Sequence, residues 1–508
     1  MRTIRHYIDS QARERPEAPY LIAPETGRVM TYAQLQRDSR ELAAVLAARG
    51  LRRGDTIALM LHNSYQTSRL LLGVMYAGYV VAPLNLLAQP SQLRYVLEHS
   101  DTRLVFTSDE FMSRLEPQLA AISRPSARPI DVLAIDPDAT DIFPREAACE
   151  SELFSLAEEN PALLMYTSGT TGVPKGCVLS HRNVCAGGEY TSRAHELHSE
   201  DRVMCSLPLY HINGQIVTAV APLVHGGSVV MPHRFSASNY WELVCRHRCT
   251  WINVVPTIIS YLLNGPDPRA TQPPLDLSRI KFCRSASAPL PPELHHAFEA
   301  RFGISIIETF GMTETCAPCF TNPYDRASRK VGSPGRAFGN EAKVIDVTTG
   351  ATQPPGIPGE VMVRGDNVMR DYYKDPASTA SAFESGGWMH TGDLGYMDAD
   401  GFLFVTGRIK ELIIKGGENI APREIDEALL RHPAVLEAAA VGIPDQHYGQ
   451  DIMACVIFKP GLECSLEELH AFAREQLGKY KAPRVIKVLL ELPKGPSGKV
   501  QRLKLLES

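Results

Sequence analysis

The segment of the sequence best suited to chemistry is a hydroxyl- and glycine-rich run that follows five mainly apolar residues. Residues 162–166 read Ala-Leu-Leu-Met-Tyr, and Gly172 and Lys175 lie at the end of the run. Between Tyr166 and Gly172 lie Thr167, Ser168, Gly169, Thr170 and Thr171. Glycines allow backbone N–H groups to converge on phosphate oxygens, hydroxyls add donors, and a lysine adds a point charge. The order of a Walker loop is absent, so composition leaves two interpretations open: a phosphate-binding loop after a strand, or a flexible Ser/Gly linker.

Further segments carry residue types that are used in nucleotide chemistry. They are residues 308–314, with Glu308, Thr309, Phe310, Gly311, Met312, Thr313 and Glu314; residues 391–393, with Asp393; residues 407–410, with Arg408 and Lys410; residues 415–419, with Gly416 and Gly417; and residues 496–499, with Lys499. Alone, the charged residues are typical of solvated side chains and the glycine-containing segments of turns.

In this order, residues 166–176 and the further segments resemble the motifs of the adenylate-forming (AMP-binding) superfamily. That superfamily includes acyl-CoA and aryl-CoA ligases, adenylation domains of peptide synthetases and firefly-type luciferases. The motifs extend over most of the chain, and agreement at all of them is not expected by chance. The resemblance implies an α/β fold with a large N-terminal AMP-binding domain at residues 1–407, built of mainly parallel α/β subdomains. A hinge at residues 408–411 and a small mobile α+β domain at residues 412–508 would follow.

The resemblance assigns the phosphates and the metal to two of these motifs. The residues matched to phosphate contact are Thr167, Ser168, Gly169, Thr170, Thr171, Lys175 and Thr313. The residues matched to Mg²⁺ are Thr170 and Glu314. A carboxylate beside substrate phosphates suits this hard cation, and attack on the α-phosphate of ATP needs the phosphate charge neutralised.

The adenosine and the mobile domain take the remaining motifs. The residues matched to the adenine site are Ser287, Glu308, Thr309, Phe310, Gly311 and Met312, with Phe310 as a flat stacking face. Asp393 and Arg408 are matched to the ribose region. Lys499 is matched to the charge that develops during adenylation. Rotation at Lys410 would withdraw it and present residues 416–417 to the pantetheine arm of coenzyme A.

The acid-binding region is predicted around His211, in the run Pro-Leu-Tyr-His-Ile-Asn-Gly at residues 208–214. A lone histidine is usually structural, but this run resembles the family motif whose aromatic or histidine side chain closes over the carboxylate. Residues 251–256 and 285–288 are predicted to line the same pocket. Amino-acid-activating relatives usually carry an Asp in the histidine region. No acidic residue lies between Leu207 and Val224, so an α-amino acid substrate is disfavoured.

The hydrophobic pattern predicts the elements that must position these residues. Thr31 and Gln34 form a capping-box signature, and apolar residues follow at helical spacing until Gly50. Short apolar runs then alternate with helical patterns through residues 56–107, which predicts a mainly parallel α/β sheet. The pattern changes after Gly407 to short strands and helices, as expected for a small α+β domain.

Composition disfavours several classes of function. The chain has 508 residues, of which 44% are hydrophobic and 21% charged, and its formal net charge is -5. These values are typical of a globular protein without a basic surface for nucleic acid. The N-terminus lacks a signal-peptide pattern, and the most apolar stretch, residues 70–87, contains glycine and proline, so we expect no membrane span. The closest of the scattered cysteines, Cys316 and Cys319, have no second pair, which disfavours a metal or redox site; we expect a cytoplasmic protein.

The resemblance therefore implies an AMP-forming acid:CoA ligase, which would use ATP, Mg²⁺ and coenzyme A to convert a small carboxylic acid to its acyl-adenylate and then its thioester. Two alternatives stay open. One is a stand-alone adenylating enzyme that loads the phosphopantetheine of a carrier protein; the other is a catalytically inactive nucleotide-binding protein. Retention of Lys175, Glu314, Asp393 and Lys499 disfavours the inactive form. Residues 85–87, Asn-Leu-Leu, lack a basic residue that many relatives use near the CoA phosphates, which puts that contact in doubt.

Overall fold

The computed structural model describes residues 2–122, 129–142, 153–167, 173–494 and 500–507, apart from the side chain of Asn419. In chain order the α-helices of this part are α1 (Ile4–Glu14), α2 (Tyr32–Ala48), α3 (Tyr65–Ala77), α4 (Pro90–His99), α5 (Asp109–Ala120), α6 (His181–Ala194), α7 (Ala221–His225), α8 (Tyr240–Arg246), α9 (Pro256–Asn264), α10 (Pro292–Phe302), α11 (Pro376–Ala382), α12 (Pro422–Leu430) and α13 (Leu466–Lys481). A π-helix, Asn213–Val220, precedes α7.

Most strands are short. They are β1 (Pro19–Ala23), β2 (Arg28–Thr31), β3 (Thr56–Met60), β4 (Val80–Pro83), β5 (Thr102–Thr107), β6 (Asp131–Ala134), β7 (Pro161–Thr167), β8 (Lys175–Ser180), β9 (Arg202–Cys205), β10 (Ser228–Val230), β11 (Trp251–Val254), β12 (Phe282–Ser285), β13 (Ile306–Met312), β14 (Ala317–Thr321), β15 (Arg336–Ala337), β16 (Glu341–Ile345), β17 (Gly359–Arg364), β18 (Asp371–Tyr372), β19 (Phe383–Glu384), β20 (Trp388–Met397), β21 (Leu403–Arg408), β22 (Ile413–Lys415), β23 (Glu418–Ile420), β24 (Val435–Asp445), β25 (Gly449–Phe458) and β26 (Val485–Val488).

Local signals set the first elements as the sequence predicts. The Thr31 side chain caps α2, and the Gln34 side chain accepts from the Thr31 N–H, which completes the predicted capping box. The apolar residues of the helix pack inward, and Gly50, with φ of 74°, follows its end. The predicted alternation through residues 56–107 is confirmed as β3, α3, β4, α4 and β5.

Two large sheets form the bulk of the chain within the described residues. The first has nine strands in the order β15-β14-β13-β12-β11-β9-β10-β1-β2, and the second has seven in the order β18-β8-β7-β4-β3-β5-β6. The first sheet has a parallel centre and antiparallel edges. The second is antiparallel only at the edge formed by β18, β8 and β7, and it is parallel from β7 through to β6 at the other edge. Their largest apolar cluster joins residues of both sheets with residues of α1, α2, α3 and α6. Helices covering parallel sheets explain why the central strands are continuous apolar runs.

A third sheet was not predicted. Strands β16, β17, β20 and β19 lie side by side, and β21 pairs with β20, all of them antiparallel. In β20 the buried residues alternate with partly exposed ones, as expected for a sheet covered on one face. This sheet supplies the segments that contain Asp393 and Arg408.

The chain after residue 411 forms a separate small sheet with its own core. Its order is β23-β22-β25-β24, with β26 parallel to β25. An apolar cluster joins this sheet to α12 and α13, which is the predicted α+β arrangement. No helix in the described part of the chain is both long enough and apolar enough to cross a bilayer.

Candidate active site

The segment at residues 308–314 lies where β13 leaves the first sheet. β13 pairs with β12 in parallel up to Glu308, which is opposite Ser285, and then pairs with β14 in antiparallel fashion. Gly311 is required at this bend, because a Cβ there would lie 2.3 Å from the carbonyl oxygen of Ala317. A single helical turn, Thr313–Thr315, follows. The segment therefore lies at the carboxyl end of the parallel strands, where open α/β sheets bind their ligands.

Lys175 and Glu314, which are 139 positions apart in the sequence, meet at one tyrosine. The Tyr372 hydroxyl donates to Glu314 Oε1 at 3.0 Å, and Lys175 Nζ lies 5.1 Å from the centre of the Tyr372 ring. Lys175 Nζ also donates to Ser378 Oγ at 2.6 Å. Burial, reinforced by the Glu314 charge, raises the pKa of Tyr372 far above its usual range, so its hydroxyl stays a donor. The tyrosine therefore holds a carboxylate and a lysine on either side of one ring.

Asp393 and Arg408 form an ion pair across the third sheet. They are register partners in β20 and β21, and Arg408 Nε donates to Asp393 Oδ1 at 2.9 Å. The Asp393 carboxylate raises the pKa of Arg408, and the more distant Glu314 charge acts in the same direction. The ion pair therefore lies close enough to Glu314 for its charge to act on Arg408.

The residues assigned to the adenine site lie along β13 and in the loop after β12. Phe310 is half-buried, with its ring 6.0 Å from that of Phe320. Thr309 is buried, and its Oγ1 has no hydrogen-bond partner in the part of the chain that the structure describes. Ser287 adopts a φ of 72°, in the left-handed region that residues other than glycine rarely occupy. Such strain is typical of functional loops.

Glu308 is a carboxylic acid held in an unusual environment. It is 4% exposed, and burial raises its pKa to about 7, against a lowering effect of the Arg423 guanidinium. Arg423 lies on α12, beyond the predicted hinge, and its Nη1 donates to Val405 O at 2.6 Å. A charge from beyond the predicted hinge thus opposes the effect of burial on the pKa of Glu308.

The predicted acid-binding segments bring four polar side chains together beside His211. His211 is half-buried and lies just before the π-helix, with its ring 4.8 Å from that of Tyr210. The side chains of the cluster are Asn213, Asn253, Arg284 and Ser287. Asn213 begins the π-helix, Asn253 and Arg284 are the penultimate residues of the neighbouring strands β11 and β12, and Ser287 lies in the loop after β12.

Gly416 and Gly417 form the turn of the β22–β23 hairpin, with φ values of 57° and 88°. Gly416 lies against two aromatic residues, since a Cβ there would be 2.9 Å from Tyr480 Oη and 3.2 Å from Tyr448. Lys415 fixes this group, because its Nζ donates to Asp451 Oδ1 at 2.6 Å and to Tyr480 O at 2.9 Å. The turn, Tyr448 and Tyr480 therefore form one surface.

Several predicted site residues cannot be placed. Ser168, Gly169, Thr170, Thr171 and Lys499 lie outside the described residues. Thr167 ends β7 opposite Lys175 on β8, so the described residues that flank the phosphate segment form an antiparallel strand pair.

Comparison with known proteins decides the family. The family model described as AMP-binding enzyme matches residues 8–373, and that of the AMP-binding enzyme C-terminal domain matches residues 424–499. The chain belongs to the AMP-binding enzyme family. It is an ATP-dependent acid:CoA ligase that works through an acyl-adenylate, in agreement with the relatives described next.

Among the relatives of this AMP-binding enzyme is the sulfoacetate–CoA ligase of Cupriavidus necator, 54% identical over 506 residues that cover 99% of this chain and 97% of that one. The oxalate–CoA ligase of Arabidopsis thaliana is 34% identical over 483 residues, covering 93% and 92%. ATP-bound MatB from Rhodopseudomonas palustris superposes with a TM-score of 0.90 at 29% identity, covering 99% and 98%. The o-succinylbenzoate CoA synthetase (MenE) of Bacillus subtilis, solved with its acyl-adenylate, gives 0.85 at 31% identity, covering 99% and 98%.

The site chemistry of this AMP-binding enzyme fits Mg²⁺. The same MenE has also been solved with ATP and a magnesium ion. Among the described residues no group of three or more His, Cys, Asp or Glu side chains could hold a metal ion by itself. Glu314, oriented by Tyr372, supplies one carboxylate, and Mg²⁺ commonly takes one or two carboxylates together with the phosphates of the substrate. Bound there, the ion would neutralise phosphate charge.

Sequence reasoning missed three contacts that the AMP-binding enzyme makes. Tyr372 and Arg423 lie outside every motif, and nothing in their neighbourhood in the sequence indicates that Tyr372 bonds to Glu314 or that the charge of Arg423 lowers the pKa of Glu308. Arg284 lies one residue before the predicted pocket segment 285–288, and a charged residue inside an otherwise buried strand was a usable signal.

Cys316 and Cys319 are both buried, and burial raises the pKa of Cys319 to about 12.

Proposed function

We propose that this AMP-binding enzyme activates a short carboxylic acid that carries a second negative group, with sulfoacetate as its substrate, and transfers the acyl group to coenzyme A. The observation that carries the proposal is the 54% identity with a sulfoacetate–CoA ligase along nearly the whole of both chains. A second relative acts on oxalate, another small acid with two anionic groups. In the reaction a carboxylate oxygen attacks the α-phosphorus of ATP and releases pyrophosphate. The thiol sulfur of CoA then attacks the acyl carbon and releases AMP.

We assign the nucleotide roles to the residues that the sequence indicated. Lys175 and Glu314 would act on the phosphates and the metal, and the contacts of both with Tyr372 and its neighbours support this. Asp393, buried and bonded to Arg408, has the acceptor oxygens that ribose hydroxyls need. Lys499 would stabilise the charge of the adenylation step.

We further propose that residues 1–407 form one unit, residues 408–411 a hinge, and residues 412–508 a mobile unit. The single helical turn Ile409–Glu411 joins the third sheet to the small sheet. The aromatic surface beside Gly416 would meet the pantetheine arm, and His211 would close over the carboxylate before transfer. A cytoplasmic location stays our prediction from the sequence.

The test is AMP formation over a panel of sulfoacetate, oxalate, malonate, acetate and benzoate, with and without CoA. We expect AMP and an acyl-CoA with sulfoacetate. Preference for acetate or benzoate, which carry no second negative group, would refute the substrate assignment. AMP formation that needs a phosphopantetheinylated carrier protein and ignores CoA would transfer the acceptor role to that protein.

A further inference from the structure

Arg284 is buried in the first sheet and bonds only to amides in the described structure. Its Nη1 donates to Asn213 Oδ1 and to Asn253 Oδ1, each at 2.8 Å. Asn253 Nδ2 donates to Asn213 Oδ1 at 3.2 Å, and Asn213 Nδ2 donates to Ser287 Oγ at 3.0 Å. These contacts fix the guanidinium, which extends from β12, to β11 and to the start of the π-helix.

The charge of this guanidinium is not balanced within the described residues. Arg284 is 2% exposed, its Nε has no hydrogen-bond partner there, and no carboxylate in that part of the chain lies within ion-pair distance. Burial lowers the pKa of Arg284 to about 9, and no acidic group opposes that shift. The nearby His195 does not help, because burial, reinforced by the Arg284 charge, lowers its pKa to about 3 and leaves it neutral.

A second buried arginine, Arg69, shows how this protein pairs an arginine that has a structural role. Arg69 is also 2% exposed, and it lies between two carboxylates, with Nε 3.5 Å from Asp38 and Nη2 3.2 Å from Glu41. Buried charges are normally paired in this way, because the desolvation of an unpaired ion is costly. Arg284 lacks such a partner, which is the pattern expected of a residue whose counter-ion is a ligand.

The position of Arg284 agrees with a ligand role. It is the penultimate residue of β12, next to Ser285 and three residues before the strained Ser287 in the loop that follows. Asn213 is two residues after His211, so the cluster and the predicted carboxylate gate share one segment. Amides and a cation, and not the apolar side chains that a hydrocarbon acid needs, thus lie near the ends of β11 and β12 and at the start of the π-helix.

We propose that Arg284 is the specificity-determining residue that receives the second negative group of the acid, with Asn213 and Asn253 as its positioning residues. The inference deepens the proposed function and rests on it. Two or more N–H donors on a planar cation suit a sulfonate or a carboxylate, and the sulfonate of sulfoacetate is the group expected. An acid whose far group is neutral would leave the buried cation unpaired and would be rejected.

The experiment compares sulfoacetate, malonate and methylsulfonylacetate. The last keeps the carboxylate, but its far group is neutral because a methyl group replaces one sulfonate oxygen; it is called the neutral analogue below. Acid-dependent AMP release by the full-length enzyme gives kcat and KM for each acid. We expect wild type to favour sulfoacetate over the neutral analogue by about 100-fold or more in kcat/KM. Arg284→Met should remove that preference, Arg284→Lys should restore part of it, and the KM for ATP should stay unchanged. The malonate values show whether the subsite accepts a carboxylate as well as a sulfonate.

A second variant tests the charge while keeping the shape. In Asn213→Asp the new carboxylate can keep both donors on one oxygen and accept from the Ser287 hydroxyl on the other, so it gives Arg284 an internal counter-ion. We expect this variant to unfold at the same or a higher temperature, yet to lose the preference for sulfoacetate. It decides the matter if Arg284→Met does not fold. The matched control is Arg269→Met, at an arginine whose side chain is 56% exposed, which should leave the preference unchanged.

The outcomes separate the two proposals. If wild type prefers sulfoacetate and both variants keep that preference, the role of Arg284 is overturned and the proposed function stands. If wild type prefers the neutral acid, the proposed substrate fails and the role of Arg284 fails with it. Loss of the preference in both variants, with an unchanged KM for ATP, supports both.

Discussion

Replacing Glu308 by Gln should stabilise the protein at alkaline pH and remove one component of its pH dependence. Glu308 Oε1 accepts from the Leu290 N–H at 3.4 Å, and Oε2 has no hydrogen-bond partner among the described residues. Burial raises the pKa of this carboxyl from 4.5 to about 7. A carboxyl whose pKa is raised by folding favours the folded state while it is protonated. Its contribution is therefore complete below pH 4.5 and is lost as the pH rises through 7.

The two pKa values set the magnitude of the effect. The pKa of Glu308 is 4.5 in the unfolded chain and about 7 in the folded chain. Wild type should therefore lose about 2 kcal/mol of unfolding free energy when the pH is raised from about 5.5 to about 8. The amide of Glu308→Gln carries no charge to desolvate, so this loss should be absent. Arg423→Gln should have the opposite effect, because loss of the guanidinium allows the pKa of Glu308 to rise further.

The assay is urea unfolding at the two pH values, followed by the fluorescence of tryptophans that include the buried Trp251. The control is Glu293→Gln, an exposed acid on α10, which should follow wild type. Equal losses of stability with pH in wild type and Glu308→Gln would refute the argument, since they would show that Glu308 is ionised in the folded protein across this range.

Three further changes test the site. Tyr372→Phe removes the hydrogen bond from the tyrosine hydroxyl to the Glu314 carboxylate, and such a bond to a charged group contributes about 1.5–3 kcal/mol. Pyrophosphate exchange should therefore slow about 10- to 100-fold and need more Mg²⁺. An unchanged Mg²⁺ dependence would contradict a role for this contact. Lys499→Ala should impair adenylation far more than thioester formation from preformed acyl-adenylate, and equal loss of both half-reactions would refute its role. Gly417→Ala places a side chain at a φ of 88°, which costs on the order of 1 kcal/mol; it should raise the KM for CoA and leave the rate of acyl-adenylate formation unchanged, and a matching fall in adenylation would count against the CoA surface.

The parts of the fold with strong local signals could be predicted from the sequence. The capping box at Thr31 and the apolar runs at β3, β4 and β5 identify their elements because the signal lies within each segment. The third sheet could not be predicted in the same way. Its strands pair across the chain, as β17 does with β20, and each strand alone has a weak pattern.

The motifs were enough to assign residues to a nucleotide site, but they did not indicate the contacts that those residues make in the structure. Lys175 and Glu314 were assigned together, and the structure joins them through Tyr372, which lies 58 positions after Glu314. A tyrosine between a lysine and a carboxylate has no sequence signature, because the contact depends on the pairing of β18 with β8. Arg284 was missed for a different reason. Its charge is unusual only because the side chain is buried without a carboxylate nearby in the described part of the chain, and this is visible only when the residues around it in space are known.

The placement of Arg284 and Glu308 on adjacent strands suggests how acid length is selected. Arg284 is opposite Ile307 in the parallel pair of β12 and β13, and Ser285 is opposite Glu308. If the far anionic group is held by Arg284, the carboxylate end of the acid must reach the nucleotide segment that starts at Glu308. A sheet pair fixes that separation, because strand register does not adjust to the ligand. An acid one methylene longer would either displace its carboxylate from the α-phosphate or give up the ion pair, so kcat should fall for such acids even where binding persists.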